Sequence, residues 1–131
     1  MEFLPENSFG YCCNLRSIIF SEGLKGLSLN AFGQCDVLKS LELPGSLIEI
    51  FPGCLTSELE KVIVNADNPV FYSDDGLLYT KGEKSELILC PQAKRGEVRI
   101  AEGTSSISQD ALSFCRQITK LYVPKSIKDD N

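Results

Sequence analysis

Ala31-Phe32-Gly33-Gln34-Cys35-Asp36-Val37-Leu38-Lys39-Ser40-Leu41-Glu42-Leu43-Pro44-Gly45-Ser46-Leu47-Ile48-Glu49-Ile50 is one whole copy of a repeating unit. Phe9, Cys12, Leu15, Ile18, Phe20, Leu24 and Leu27 stand 23 positions before Phe32, Cys35, Leu38, Leu41, Leu43, Leu47 and Ile50 (32 − 9, 35 − 12, and so on). Near the other end, Ala111, Leu112, Cys115, Ile118, Leu121, Val123, Pro124 and Ile127 stand 80 after Ala31, Phe32, Cys35, Leu38, Leu41, Leu43, Pro44 and Leu47 (111 − 31). So many apolar positions in phase point to a stack of similar units.

Within the unit, Leu38, Leu41 and Leu43 end in apolar–polar alternation, the pattern of a short strand with one buried face. Pro44 stops it, since proline cannot donate to a sheet ladder. Leu47 and Ile50 mark a second inward-facing segment. The Ala-Phe-x-x-Cys stretch reads as a turn or short helix with its aromatic inward. A shorter third copy starts near Leu55: Leu59, Val62 and Val64 follow Leu38, Leu41 and Leu43 by 21 (59 − 38). Phe51-Pro52-Gly53-Cys54 takes the bend where two residues are lost.

The copies fall at about 9–30, 31–50, 51–64 and 97–127, with an insertion at about 65–95. Asn68-Pro69 and Asp74-Asp75-Gly76 are turn signals. The runs 76–80 and 86–90, joined by the polar Lys81–Ser85, read as a β-hairpin. Phase resumes at Val98, Ile100 and Ile107. One such unit cannot bury its own apolar side, but a stack makes a continuous core. Parallel pairing is expected for 17–20, 40–43, 61–64, 97–100 and 120–123, wound right-handed.

The chain of 131 residues is one domain's worth, and its 43% hydrophobic content suffices for a core. A net charge of −5 argues against nucleic acid. No apolar run approaches the roughly 20 residues of a membrane helix. Met1–Pro5 lacks the features of a signal peptide. The repeat phase suggests that the chain starts inside a repeat, as a piece of a longer array would. With no histidine, Ser-His-Asp and Cys-His arrangements are impossible, and no metal or cofactor motif occurs. The expectation is a protein that is not an enzyme. Cys12, Cys35 and Cys115 share one repeat position; Cys13, Cys54 and Cys90 do not. Buried thiols are expected, with a Cys12–Cys35 bridge as the alternative.

Ala-Phe-x-x-Cys-x-x-Leu-x-x-Leu-x-Leu-Pro-x-x-Leu-x-x-Ile resembles the BspA-like class of leucine-rich repeats. The insertion from Asn68 to Tyr79, followed by Leu87-Ile88-Leu89-Cys90-Pro91, resembles the hairpin interruption of that family. The resemblance implies a leucine-rich repeat solenoid: a β-rich α/β right-handed superhelix with a parallel β-sheet on one face and an inserted β-hairpin. It also implies a secreted or cell-surface setting and roles in adhesion or protein binding, with no shared catalytic residues.

Alternation puts two rows of side chains on the outer face of the strands. One is Ile19, Glu42, Ile63, Arg99 and Tyr122. The other is Ser17, Ser40, Lys61, Glu97 and Lys120. Clustered exposed apolar groups such as Ile19, Ile63 and Tyr122 mark contact sites, although single ones are ordinary on strands. The partner-binding candidates are therefore Ile19, Glu42, Ile63, Arg99, Tyr122, Lys61 and Lys120, with the hairpin tip as a second site. The competing reading is a structural spacer without a ligand. Leu4, Phe9, Leu121, Val123 and Ile127 sit in copies that look incomplete, so another chain or further repeats are expected to cover at least one end.

Overall fold

The computed structural model describes residues 3–4, 14–28, 37–51, 58–109, 111–112 and 115–127. The turn or short helix at 31–36, the bend at 52–54 and Cys12, Cys13, Cys35 and Cys54 lie outside these residues. Among the described residues the regular structure is all extended, and no helix forms. In order, the strands are β1 (Phe3–Leu4), β2 (Gly26–Ser28), β3 (Ser40–Leu43), β4 (Glu49–Phe51) and β5 (Lys61–Val64). They continue with β6 (Phe71–Asp74), β7 (Leu77–Thr80), β8 (Ser85–Leu89), β9 (Arg95–Arg99), β10 (Thr104–Ile107) and β11 (Gln117–Tyr122).

The units stack as a solenoid with parallel sheets. β3 pairs with β5 in parallel, Leu41 beside Val62 and Leu43 beside Val64. β9 pairs with β11, Val98 beside Leu121 and Arg99 beside Tyr122. In the first two copies the second inward segment is also a strand: β2 and β4 join β1 in their own parallel sheet, with Leu27 beside Ile50. The 23-residue offset thus becomes lateral contact. Leu41, Leu43, Val62 and Val64 are buried while Glu42 and Ile63 are exposed, the period-2 pattern of a half-buried strand.

The polar groups of the turns repeat this geometry. Ser46 Oγ donates to Leu24 O at 2.8 Å, and Ser126 Oγ to Thr104 O at 2.7 Å, each reaching 22 residues back into the preceding turn. The Glu22 carboxylate accepts from Gly45 N at 3.3 Å and Ser46 N at 3.1 Å. Asn68 is fully buried and uses its whole amide. Its Nδ2 donates to Pro44 O at 2.9 Å and Leu47 O at 2.8 Å, and its Oδ1 accepts from Val70 N and Phe71 N, both at 2.8 Å.

Two expected pairings do not form. Residues 17–20 keep the alternation, with Ile18 and Phe20 half-buried and Ser17 and Ile19 exposed, but they form no strand beside β3. Alternation decides which way side chains point. It does not by itself bring backbone N–H and C=O groups into a ladder. Nor does β5 meet β9. Asp75 and Gly76, both at positive φ, make the tight turn between β6 and β7. That turn occupies the place beside β5, where Val62 N donates to Gly76 O at 2.9 Å.

The insertion is larger than a hairpin. β6, β7 and β8 form an antiparallel meander, and β10 adds to β8 in parallel, giving the order β10-β8-β7-β6. β7 is buried on both faces. Leu78 joins Leu41, Leu43, Val62 and Phe71 in one core, while Leu77 and Tyr79 join Leu87, Val98 and Ile100 in a second. The continuous apolar run Leu77-Leu78-Tyr79 is what a strand between two cores requires. Tyr79 stacks on Tyr72 (ring centroids 5.0 Å apart, 11° between planes), and its hydroxyl accepts from Ala101 N at 2.9 Å.

Substitutions at three positions test these joints. A Cβ on Gly76 would stand 2.9 Å from Lys61 Cβ at a φ of +83°. Gly76→Ala is expected to cost about 3 kcal/mol in urea unfolding, from backbone strain plus overpacking. Asn68→Asp keeps the acceptors for Val70 and Phe71 but abandons two buried carbonyls, so a loss of about 2–4 kcal/mol is expected, with Asn68→Ala at least as severe. Burial, the main cause, pushes the Tyr79 phenol above its ordinary value of 10.0, against the hydrogen bond from Ala101. The folded state then holds this proton more tightly than the unfolded chain does. Its contribution is complete below pH 10.0 and is lost as pH rises through the elevated folded value. Denaturant midpoints measured across that range should fall less steeply for Tyr79→Phe than for the parent protein, after a constant cost of about 1 kcal/mol.

Candidate functional site

The outward faces of β3, β5, β9 and β11 carry most of the candidate residues, set by the pleat. Ile19, Glu42, Ile63, Arg99, Lys61 and Lys120 are exposed and Tyr122 is half-buried. They do not make one continuous row. The Asp75–Gly76 turn wedges in after β5 and divides the face into separate hollows.

The first hollow, of about 450 Å³, brings Ile19, Glu42 and Ile63 together with Ser17, Ile18, Phe20, Glu22, Leu43, Pro44 and Asn65. Ile19 is 93% exposed and Ile63 39%. Glu42 pairs with Ile63 across β3 and β5, and Ile19 lines the same hollow, so an acidic group shares this surface with two apolar ones.

Arg99 and Tyr122 line a second hollow of about 610 Å³, with Asp74, Asp75, Ile100, Ala101, Glu102, Val123 and Pro124. The Arg99 guanidinium lies over the Tyr122 ring at 3.9 Å, and Lys120 Nζ is 5.0 Å from the same ring. The Tyr122 hydroxyl contacts Glu97 Oε1 at 3.3 Å. These groups hold one another in place on an exposed strand, each at modest energy. Asp74, Asp75 and Glu102 escaped the sequence reading as members of this face. Asp74-Asp75-Gly76 signalled a turn, but nothing local said where the turn would dock.

Lys61 belongs to a third hollow of about 600 Å³, with Glu60, Asp75, Gly76, Ala93, Lys94 and Arg95. Lys94 Nζ is held there by Asp75 O at 2.6 Å and Asp75 Oδ1 at 3.3 Å. The hairpin tip is tied down as well. Lys81 Nζ donates to Asn68 O, and Ser105 Oγ to Glu83 O at 3.3 Å. Leu121 and Val123 hold core phase yet are 37% and 53% exposed, whereas their counterparts Leu41 and Leu43 are 0% and 2%. Among the described residues β9 is the one strand that pairs with β11. Among the described residues, no group of three or more His, Cys, Asp or Glu side chains could hold a metal ion. Among the same residues no helix is long and apolar enough to cross a membrane.

Comparison with known proteins agrees with this geometry. The chain matches the model of the BspA type leucine rich repeat region in six copies, over residues 1–77 and 90–130. The unmatched stretch between them falls on β7 and β8. A leucine-rich repeat protein from Eubacterium ventriosum shares the fold with a TM-score of 0.73 at 20% identity, over 87% of this chain and 31% of that one. A leucine rich cell surface protein from Faecalibacterium prausnitzii does so with 0.75 at 19% identity, over 95% and 34%. For the pneumococcal vaccine antigen PcpA the values are 0.66 and 23%, over 98% and 38%. The chain spans about a third of the length of these structures. No curated protein matches it. The repeat spacing, the parallel stacking of the units and the match over most of the sequence place this chain in the BspA-type leucine-rich repeat family.

Proposed function

We propose that this chain is a non-catalytic protein-binding or adhesion module, a segment of a longer secreted or cell-surface protein. The observation that carries the reading is the hollow that brings Ile19 and Ile63, both exposed, together with Glu42. Two exposed isoleucines lining one hollow gain by being covered, and the carboxylate among them selects the partner's polar groups. Arg99, Tyr122 and Lys120 form a second, more polar contact area beyond the Asp75–Gly76 turn, and Lys61 adds a third beside it. The partner class is a protein on a host or neighbouring cell surface. Exposed Leu121 and Val123 extend the proposal to the end of the stack: further repeats, or a second copy of the chain, cover them.

A spacer role is the second reading. It is favoured by the insertion, whose strand β7 is spent on filling two cores.

Ile19→Asp with Ile63→Asp separates the two. Such surface changes should lower stability by about 1 kcal/mol or less, leaving the fold intact. Binding of the labelled protein to a panel of immobilised extracellular proteins should then weaken about 30-fold or more for any partner using this face. Ile48→Asp, at an exposed position outside the hollow, should bind like the parent. A parent protein that binds nothing on the panel, or a double variant that binds unchanged, would favour the spacer.

A further inference from the structure

Cys90 follows β8 and Cys115 precedes β11, 25 positions apart (115 − 90), and the fold brings them into contact. Cys90 N donates to Ala111 O at 2.8 Å, and Cys115 Sγ lies 3.3 Å from Cys90 O. One oxygen faces both sulfurs: Pro91 O is 3.8 Å from Cys90 Sγ and 3.6 Å from Cys115 Sγ. The two thiols shift each other's ionisation in opposite directions. Cys90 is 1% exposed and belongs to the C-terminal core, while Cys115 sits at its edge and is partly exposed. Neither is used by the binding face. A reachable thiol in contact with a buried one is the arrangement of an attacking and a resolving cysteine.

We propose that Cys90 and Cys115 are a modification site: a low-molecular-weight disulfide oxidises the pair to an intrachain bridge tying the inserted sheet to the last repeat. The chemistry follows from the two environments. The interaction with the Cys90 side chain lowers the pKa of Cys115, against the effect of burial. The same interaction, and then burial, raises that of Cys90. Cys115 therefore attacks as the thiolate. Its sulfur bonds to one sulfur of the reagent, the reagent's S–S bond breaks, and one thiolate leaves. The Cys90 proton passes to a departing thiolate. The Cys90 sulfur then displaces the second reagent thiol from Cys115. Two protein thiols become one disulfide, and the reagent leaves as two thiols carrying the two electrons and two protons. The bridge restricts the unfolded chain between β8 and β11 and so stabilises the folded form.

Oxidised glutathione is the probe. The folded protein is incubated with it, free thiols are blocked, and the unreduced digest is mapped by mass spectrometry. A Cys90–Cys115 linked peptide is expected, together with a thermal midpoint that rises on oxidation. In Cys90→Ser, a glutathione adduct should persist at Cys115. In Cys115→Ser, Cys90 should remain unmodified while the protein is folded. The parent map decides the matter even if Cys90→Ser fails to fold. Full blocking of Cys115 with no bridge, or linkage of either residue to Cys12, Cys13, Cys35 or Cys54 instead, would overturn the proposal.

Discussion

The buried amide of Asn68 is where the regular stack and the inserted sheet are joined. It reaches back to two carbonyls of the preceding turn, Pro44 and Leu47, and forward to the N–H groups that begin β6. All four of its hydrogen-bonding valences are met inside the protein. A buried carboxamide is tolerable only in that state, because each unmet valence would cost about 1–3 kcal/mol. The turn of the third unit is therefore held in register with the second at the point where the chain leaves the repeat pattern. Lys81, donating to the Asn68 carbonyl, ties the far side of β7 to the same spot.

From that joint the rest follows by packing. Once β6 is launched, the Asp75–Gly76 turn returns the chain as β7, and β7 runs between two apolar clusters. A glycine is needed at the turn because Lys61 Cβ and Cα fill the space where a side chain would start. The insertion thus acts as a partition within the solenoid. It separates the core under β3 and β5 from the core under β9 and β11, and it breaks the parallel ladder between them. Each half still follows the repeat rule, with apolar groups inward at every second position.

The same partition shapes the outer surface. A continuous stripe of outward side chains would have carried one mixed apolar and polar face. The docked turn adds Asp74 and Asp75 beside Arg99, leaving an aliphatic hollow around Ile19 and Ile63 and a charged one around Tyr122. A partner that spans both must accommodate carboxylates at the boundary. In the C-terminal half, Tyr79 and the Cys90–Cys115 contact join the inserted sheet to the last repeat, so the two are coupled through side chains as well as strands.

The sequence by itself determined the repeat architecture and the direction of the side chains on its core strands. A 23-residue spacing of Leu, Ile and Phe can satisfy its core only if neighbours stack, and alternation around Leu41, Val62 and Val98 orients both faces. It also marked the end of the pattern at Asn68-Pro69 and the turn at Asp74-Asp75-Gly76. Tertiary structure alone decided where that turn docks, that Asn68 is a clamp rather than only a turn former, and that residues 17–20 stay out of the ladder. It alone brought Cys90, which is out of repeat phase, against Cys115. The physical reason is common to these cases. Periodicity encodes contacts between equivalent positions, whereas a joint between unlike segments depends on hydrogen-bond reach and on which volume is left unfilled.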